Sequence, residues 1–130
     1  MGLDIMIDEI SRKKNGKLKK KDAYYWRRFG DLQEALFNSW IKMNDGLSDS
    51  PIEYFNGIWI DIVPHILDDL EEELKGKINP EIRKYKKWMK EDPDEDYTWE
   101  INHWKELDRF FKNIRSDMKK GKRYAFCCSW

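Results

Sequence analysis

Apolar residues recur every three or four positions from Tyr97 to Met118, and this spacing predicts the longest helix of the chain. The segment amounts to about six turns and is followed by Gly121, a residue type that commonly ends helices. Its apolar stripe consists of Tyr97, Ile101, Trp104, Leu107, Phe111, Ile114 and Met118. We expect this stripe to face the core.

The same spacing predicts a helix from Asp22 to Asn44, with Asp22 as its N-cap and Asn44 to Gly46 as its end. The stripe of this helix consists of Phe29, Leu32, Leu36, Trp40 and Met43. We expect the rear half, Phe29 to Met43, to pack in the core. The front half holds a cluster of aromatic and cationic residues, Tyr24 to Arg28, whose role the pattern leaves open.

Two more amphipathic helices are indicated further along the chain. One begins at Pro64, buries Ile66, Leu67, Leu70 and Leu74, and ends at Gly76. The other begins with Asn79 as N-cap and Pro80 in the first turn. Its buried stripe is formed by Ile82, Tyr85 and Trp88 or Met89. The acidic residues 91–96 break this helix and favour the positive N-terminus of the next one.

Two further segments lie between these helices. Ser50, Pro51 and Glu53 form a capping signal that predicts a short helix ending at Asn56 and Gly57. The stretch 58–63 is rich in β-branched residues, so it suits a strand, but its position before Pro64 also suits the entry to a helix.

Alternation with a period of two marks both ends of the chain as strands. Leu3, Ile5 and Ile7 alternate with Asp4, Met6 and Asp8 at the N-terminal end. Tyr124, Phe126, Cys128 and Trp130 share one side of a segment from Lys122 to Trp130. Between the first strand and the first helix, Asn15 and Gly16 favour a type I′ turn, which predicts a cationic hairpin formed by 10–14 and 17–20.

These elements predict an α+β fold in a single domain, residues 1–130. Three to four amphipathic helices pack on a small antiparallel sheet that the N-terminal hairpin and the C-terminal strand form. Residues 1–21 form the first strand and basic hairpin, residues 22–120 the helical layer, and residues 122–130 the last strand.

Charge is balanced overall but unevenly distributed. The chain has 25 cations and 25 anions, yet the segment from Arg12 to Lys21 holds seven cations and no acid. Acids cluster at 68–73 and 91–96. The neutral sum weakens the footprint expected of a nucleic-acid-binding protein. Met1 to Ile10 is too acidic for a signal peptide, and no stretch is apolar enough for a membrane span, so we expect a cytoplasmic protein.

Catalytic signatures are missing from the sequence. Cys127 and Cys128 are adjacent, which favours buried thiols over a disulfide. His65 and His103 have no Cys or His at metal-ligand spacing, and the seven glycines are scattered singly. We therefore expect a protein that is not an enzyme and holds no metal or cofactor.

The candidate binding residues are aromatic and cationic neighbours at the head of the predicted first helix, together with one lysine of the hairpin. They are Tyr24, Tyr25, Trp26, Arg27, Arg28 and Lys13. They form either a binding surface or a packing seam. Of the tryptophans, Trp40, Trp88 and Trp104 are expected in the core, whereas Trp26, Trp59, Trp99 and Trp130 suit either a core or a site.

A resemblance adds a biological context. The chain opens with Met1 to Asp4, continues with Tyr25-Trp26-Arg27-Arg28, and ends with Cys128-Ser129-Trp130. It thereby resembles a family of small, mostly uncharacterised phage and prophage proteins that begin Met-Gly-Leu-Asp, carry Tyr-Trp-Arg-Lys and finish near Ser-Ser-Trp. In that family an Asn-Ala-Ile-His segment follows, where this chain has Gly30 to Gln33. The resemblance implies a phage accessory protein.

Two modes of binding suit such a protein. In the first, it blocks a host protein of an antiviral defence, with acidic stretches docking on a basic enzyme and aromatic side chains as anchors. In the second, it sequesters a nucleotide-like signal, with Tyr24, Tyr25 or Trp26 stacked on a base and the cations on phosphate. Nucleic-acid binding through the basic hairpin is a third, less favoured mode. Surplus aromatic residues also favour a homodimer.

Overall fold

The computed structural model describes residues 2–43 and 55–130. The strands are β1 (Asp4–Arg12), β2 (Leu18–Arg27), β3 (Trp59–Asp61) and β4 (Arg123–Ser129). The α-helices are α1 (Gly30–Met43), α2 (Pro64–Leu74), α3 (Ile78–Glu91) and α4 (Thr98–Lys119). The predicted helix that starts at Ser50 and Pro51, and the predicted helix end from Asn44 to Gly46, lie outside the described residues.

The strands form one antiparallel sheet in the order β2-β1-β4-β3. The first and last strands are therefore neighbours at its centre, which confirms the predicted α+β fold with both ends of the chain in one sheet. The ambiguous stretch 58–63 contributes the short edge strand β3. Its Ile60 pairs with Phe126 and packs against the core.

The predicted hairpin is present, but its turn differs from the prediction. The amide of Gly16 donates to the Lys13 carbonyl (2.9 Å), and the amide of Lys13 donates to the Lys17 carbonyl (2.8 Å). Gly16 has a φ of 82°, whereas Asn15 is not among the residues with positive φ. A type I′ turn needs positive φ at both central residues, so this turn is a type I turn closed by a glycine bulge.

The prediction of a helix beginning at Asp22 was wrong. Residues 22–27 belong to β2, and α1 begins at Gly30. The aromatic side chains of this segment pair across the strand, Tyr24 with Ile7 and Trp26 with Ile5, and this pairing outweighs the local helical spacing. The predicted boundary of the helical layer, 22–120, was therefore wrong in two places, because residues 22–27 and 59–61 belong to the sheet. Within α1, Leu32 and Leu36 are buried as expected, whereas Met43 is exposed.

The boundary between α2 and α3 also differs from the prediction. A 3₁₀ turn, Lys75–Lys77, joins the two helices, so α3 begins at Ile78 and Asn79 lies inside it rather than capping it. Trp88 was expected in the core but is 41 % exposed. Its ring contacts Tyr85 and Tyr97 at the surface, and among the described elements α3 packs mainly on α4.

The helices cover one face of the sheet. Phe110 of α4 makes edge-to-face contacts with Tyr24 (5.2 Å between centroids) and Trp26 (6.2 Å). The Trp26 indole donates to the carbonyl of His103 at 3.0 Å. The strands contribute to this core Ile5, Ile7, Tyr24, Trp26, Tyr124, Phe126 and Cys128. None of the described helices is sufficiently long and apolar to cross a membrane.

Candidate functional site

The residues predicted to form one binding cluster lie in four places. Tyr24 and Trp26 point into the core, and Tyr25 and Arg27 point to the opposite face of β2. Arg28 follows the strand and lines a cavity beside α4, and Lys13 lies in the distant hairpin turn. The cluster was predicted at the head of a helix, but residues 24–27 form part of a strand, which sends alternate side chains to opposite faces. The structure therefore does not bring these residues together.

Tyr24 and Trp26 are packing residues. Their rings stack at 6.2 Å, and the Arg109 guanidinium lies 4.3 Å from the Tyr24 centroid. Burial raises the pKa of the Tyr24 hydroxyl, while Arg109 opposes that rise. Trp26 is only 1 % exposed, so neither ring is free to stack on a ligand.

A row of apolar side chains crosses the opposite face of the sheet. Cross-strand pairing aligns Tyr25 with Met6, Met6 with Cys127, and Cys127 with Trp59, so the row spans all four strands. The outer two members are exposed, Tyr25 by 52 % and Trp59 by 37 %. We call this row, Tyr25–Met6–Cys127–Trp59, the aromatic row. No described helix packs on it, since the helical contacts reach the core side of the sheet.

A lysine from one edge strand meets a tryptophan from the other above this face. The Lys20 ammonium lies 4.1 Å from the centroid of the Trp59 ring, at cation–π distance. Between them lie Asp8, Ala125 and Cys127, which are buried although no helix of the described chain covers them. A bulge in β2 between the partners of Ile7 and Asp8 places Lys20 on this face.

Charged residues of both signs surround the aromatic row. Arg27, Asp4 and Ser129 are aligned on one side of it, and Asp22, Asp8, Ala125 and Asp61 on the other. The Tyr25 hydroxyl donates to the Asp4 carboxylate, which raises the pKa of Tyr25. Arg123 donates to Asp61 at 3.0 Å.

Asp8 is the buried charge of this face. Burial raises the pKa of its carboxyl group, the adjacent Asp22 raises it further, and Lys20 opposes the rise. No hydrogen bond joins the Asp8 side chain to the described part of the chain. Asp8 therefore destabilises the folded protein when its carboxyl group is ionised.

The basic hairpin projects beyond the sheet. β1 pairs with β2 as far as Arg12, but with β4 only as far as Ile10, so the turn extends past the central strands. Residues 11–21 are exposed throughout. None of the seven cations from Arg12 to Lys21 forms an ion pair within residues 2–43 and 55–130. The hairpin therefore presents a cluster of positive charge beyond the sheet.

The acidic stretch 68–73 is largely engaged within the fold. Arg115 of α4 binds both Asp68 (2.6 Å) and Glu71 (2.9 Å). Asp69 accepts a hydrogen bond from Ser39 at 2.7 Å. These contacts hold α2 against α4 and α1, which leaves less of this stretch for docking.

The second acidic stretch, 91–96, serves the start of α4. Asp96 accepts a hydrogen bond from the amide of Thr98 at 2.9 Å, and the hydrogen bonds from the Thr98 side chain and amide lower the pKa of Asp96. This agrees with the predicted preference for acids at the N-terminus of that helix.

Arg28 marks a second feature, a cavity of about 200 Å³ between the start of α1, α3 and α4. Arg28 has a φ of 60°, the one positive value among the described residues other than glycine, and its amide donates to the Leu3 carbonyl at 2.6 Å. This conformation turns the chain out of β2 and directs it into α1. The cavity is lined by Arg28, Phe29, Gly30, Asp31, Tyr85, Trp99, Glu100, His103 and Trp104.

Sequence reasoning missed most of the residues at both features. Met6, Cys127 and Lys20 of the sheet face were not selected, and Trp59 was left undecided between core and site. The alternation of Met6 with Ile5 and Ile7, and of Cys127 with Phe126 and Cys128, was a usable signal for the open face. The cavity residues had no such signal, because they come from three separate segments.

Comparisons with protein-family models, with curated proteins and with solved structures found no match to the chain. In the described part of the chain, no group of three or more His, Cys, Asp and Glu residues is arranged to hold a metal ion.

Proposed function

We propose that this protein acts by binding another protein through the open face of its sheet. In this proposal it is a phage accessory protein that works in the cytoplasm of the infected bacterium and inhibits an antiviral defence by occupying a host protein. The observation that carries the proposal is the aromatic row, which crosses all four strands on the face that no described helix covers.

The composition of the row supports a protein partner. An antiparallel sheet with one solvated face normally carries polar residues there. Here the aromatic row, which crosses all four strands, holds Tyr25, Met6, Cys127 and Trp59 instead. Exposed Tyr and Trp side chains surrounded by polar groups are typical of binding hot spots, where burial of a large ring supplies most of the affinity.

The charges around the row favour protein over nucleic acid. Asp4, Asp22 and Asp61 lie on the same face as Arg27, Lys20 and Arg123. Carboxylates would repel a phosphate backbone, whereas alternating charges complement a mixed protein surface. The cations of the projecting hairpin would increase the rate of association with an acidic partner.

The resemblance to phage and prophage proteins supports the proposed role as a phage accessory protein. Its opening motif includes Asp4, which binds Tyr25, and its Tyr-Trp-Arg motif supplies Tyr25 itself. The motif thus contributes to the open face as well as to the core. A phage product with such an apolar row on an open sheet face suits an inhibitor that acts by occupying its target.

The test compares two exposed tryptophans with similar accessibility. Trp59 is 37 % exposed on the open face, and Trp88 is 41 % exposed on α3. Tagged wild-type protein, Trp59→Ala, Tyr25→Ala and Trp88→Ala are expressed during phage infection of a defence-carrying host, and the captured material is identified by native mass spectrometry. The affinity of each variant for that material is then measured.

We expect wild-type protein to retain a host protein. Tyr25→Ala and Trp59→Ala each weaken its binding at least tenfold, roughly 1.4 kcal/mol, and reduce protection of the phage, while Trp88→Ala binds normally. Equal weakening by Trp88→Ala would contradict the assignment of the face. A retained nucleotide, or a homodimer that Trp59→Ala dissociates, would overturn the proposed partner.

A further inference from the structure

The cavity beside Arg28 has walls that are mainly aromatic. Phe29 and Trp104 pack edge to face at 5.0 Å, and Trp99 lies 4.1 Å from His103 between ring centroids. Tyr85 of α3 closes the third side. Trp99 remains 46 % exposed at the mouth. A small ligand that enters here would therefore meet ring faces and edges on several sides.

Glu100, one of the residues that line this cavity, has a carboxylate oxygen without a partner in the described chain. Oε2 of Glu100 is buried and accepts no hydrogen bond from any residue that the structure describes. Buried carboxylate oxygens are almost always paired, because an unpaired one loses its hydration without replacement. Arg28 lines the same cavity but forms no ion pair with Glu100 in the described chain.

His103 is not free to serve as that partner. Its Nδ1 faces the Trp99 carbonyl at 2.8 Å, and its Nε2 faces the Arg27 carbonyl. Both ring nitrogens are thus engaged in holding the end of β2 against α4. Neither ring nitrogen of His103 is therefore left to donate to Glu100.

We infer that this cavity binds a small organic cation, an ammonium or guanidinium group that donates to Glu100 while the rings of Trp99 and Tyr85 contact it. Aromatic faces attract cations, and a charge-assisted hydrogen bond to a buried carboxylate is among the stronger polar contacts. Asp31 adds a second carboxylate at the wall. Two carboxylates against the one guanidinium of Arg28 favour a cation over an anion.

The size of the cavity limits the ligand. About 200 Å³ accommodates the charged end of an alkylamine or alkylguanidine, but it is below the 300 to 1,000 Å³ usual for drug-sized ligands. A whole nucleotide would not be enclosed here, and its phosphates would face Glu100 and Asp31. The ligand class proposed for this cavity therefore differs from that of a site that sequesters a nucleotide-like signal.

The experiment titrates the purified full-length protein with butylammonium, butylguanidinium and, as an anion of similar size, butyrate. Binding is followed by NMR through the indole N–H signals of Trp99 and Trp104. We expect saturable shifts with at least one cation and none with butyrate. Glu100→Gln removes the charge while preserving the shape of the side chain, and it should weaken cation binding at least tenfold.

Two further variants make the result specific. Glu34→Gln makes the same change of charge at an exposed position of α1 and should leave binding unchanged. Arg28→Gln removes the competing cation and should strengthen the binding of the probe. Saturable binding of butyrate, equal cation affinity in Glu100→Gln, or no saturable binding of any probe would each overturn the inference.

Discussion

The two faces of the sheet are built from the same strands and have opposite surroundings. On the inner face, Trp26, Ile5 and Cys128 are aligned across β2, β1 and β4 and lie under helices. On the outer face, the aromatic row begins with Tyr25 and Met6, each one residue away from an inner neighbour. Both faces are rich in aromatic and sulfur-containing side chains. What separates core from surface is the cover of helices, and apolar character alone does not reveal it.

The difference has an energetic consequence. A large side chain in the core is stabilised by removal from water, and its deletion leaves a cavity that the fold cannot close. A ring on the outer face retains much of its contact with water until a partner covers it. The same aromatic residue type therefore contributes to folding on one face and to association on the other.

The largest expected effect is that of truncating the inner aromatic ring. Trp26→Ala deletes a ring that is 1 % exposed, packs on Phe110 and donates to the His103 carbonyl. We expect a loss of about 3 to 5 kcal/mol in the free energy of unfolding. Urea denaturation measures it. If the variant does not fold, Trp26→Phe, which keeps most of the packing, gives a measurable loss.

The matched outer variant is Tyr25→Ala. It removes a half-exposed ring and one hydrogen bond to Asp4, so we expect a loss within about 1 kcal/mol. Equal losses for the two variants would contradict the distinction between the faces and would mean that the outer face is itself covered in solution.

A smaller effect is expected from the buried charge of the outer face. Burial and Asp22 raise the pKa of Asp8 above 3.8, so the folded protein holds this proton more tightly than the unfolded chain. The contribution of Asp8 to stability is therefore most favourable below that value and is lost as the pH rises through the raised pKa. We expect Asp8→Asn to be more stable than wild type at neutral pH.

Melting temperatures between neutral pH and about pH 3.5 check this prediction, because the advantage of Asp8→Asn should shrink as the acid form of Asp8 takes over in wild type. Asp61→Asn is the control, since Asp61 lies on the same face but is exposed and pairs with Arg123. A constant advantage at every pH would mean that packing, rather than charge, explains the difference.

The smallest effect concerns the adjacent cysteines, which lie on opposite faces. Burial raises the pKa of Cys128 to about 12, and burial also raises that of Cys127, with Lys20 opposing. Trp59 pairs with Cys127 across the strands, so Trp59→Ala exposes the outer face at Cys127 and leaves the inner face at Cys128 unchanged. We expect alkylation of Cys127 by iodoacetamide to accelerate several-fold, while Cys128 stays protected.

Peptide mapping by mass spectrometry locates the modified thiol. Trp88→Ala should leave both rates unchanged, because Trp88 contacts neither face of the sheet. If both cysteines reacted at the same rate in Trp59→Ala, the modification would report global unfolding rather than a local opening of the outer face.

Some elements were predictable because their signal is local and strong. The stripe of α4 from Ile101 to Ile114 and the alternation of β4 each match one periodicity, so α4 and the C-terminal strand were predicted within a few residues. The segment Asp22 to Arg28 is compatible with two kinds of secondary structure. Its apolar residues suit a helix continuing into α1, whereas its three consecutive aromatic residues suit a strand. Only pairing with β1 decides between the two.

The sequence by itself determined the α+β class, the long helix, the presence of both chain ends in one sheet and the cationic hairpin, because each depends on periodicity or on charge along the chain. Only the tertiary structure decided which aromatic residues are buried. Strand register aligns Tyr25 with Trp59 across four strands, and helix packing brings Arg28, Tyr85 and Glu100 around one cavity. Contacts between residues that are distant in sequence leave no periodic signal, so both candidate sites had to be found in the fold.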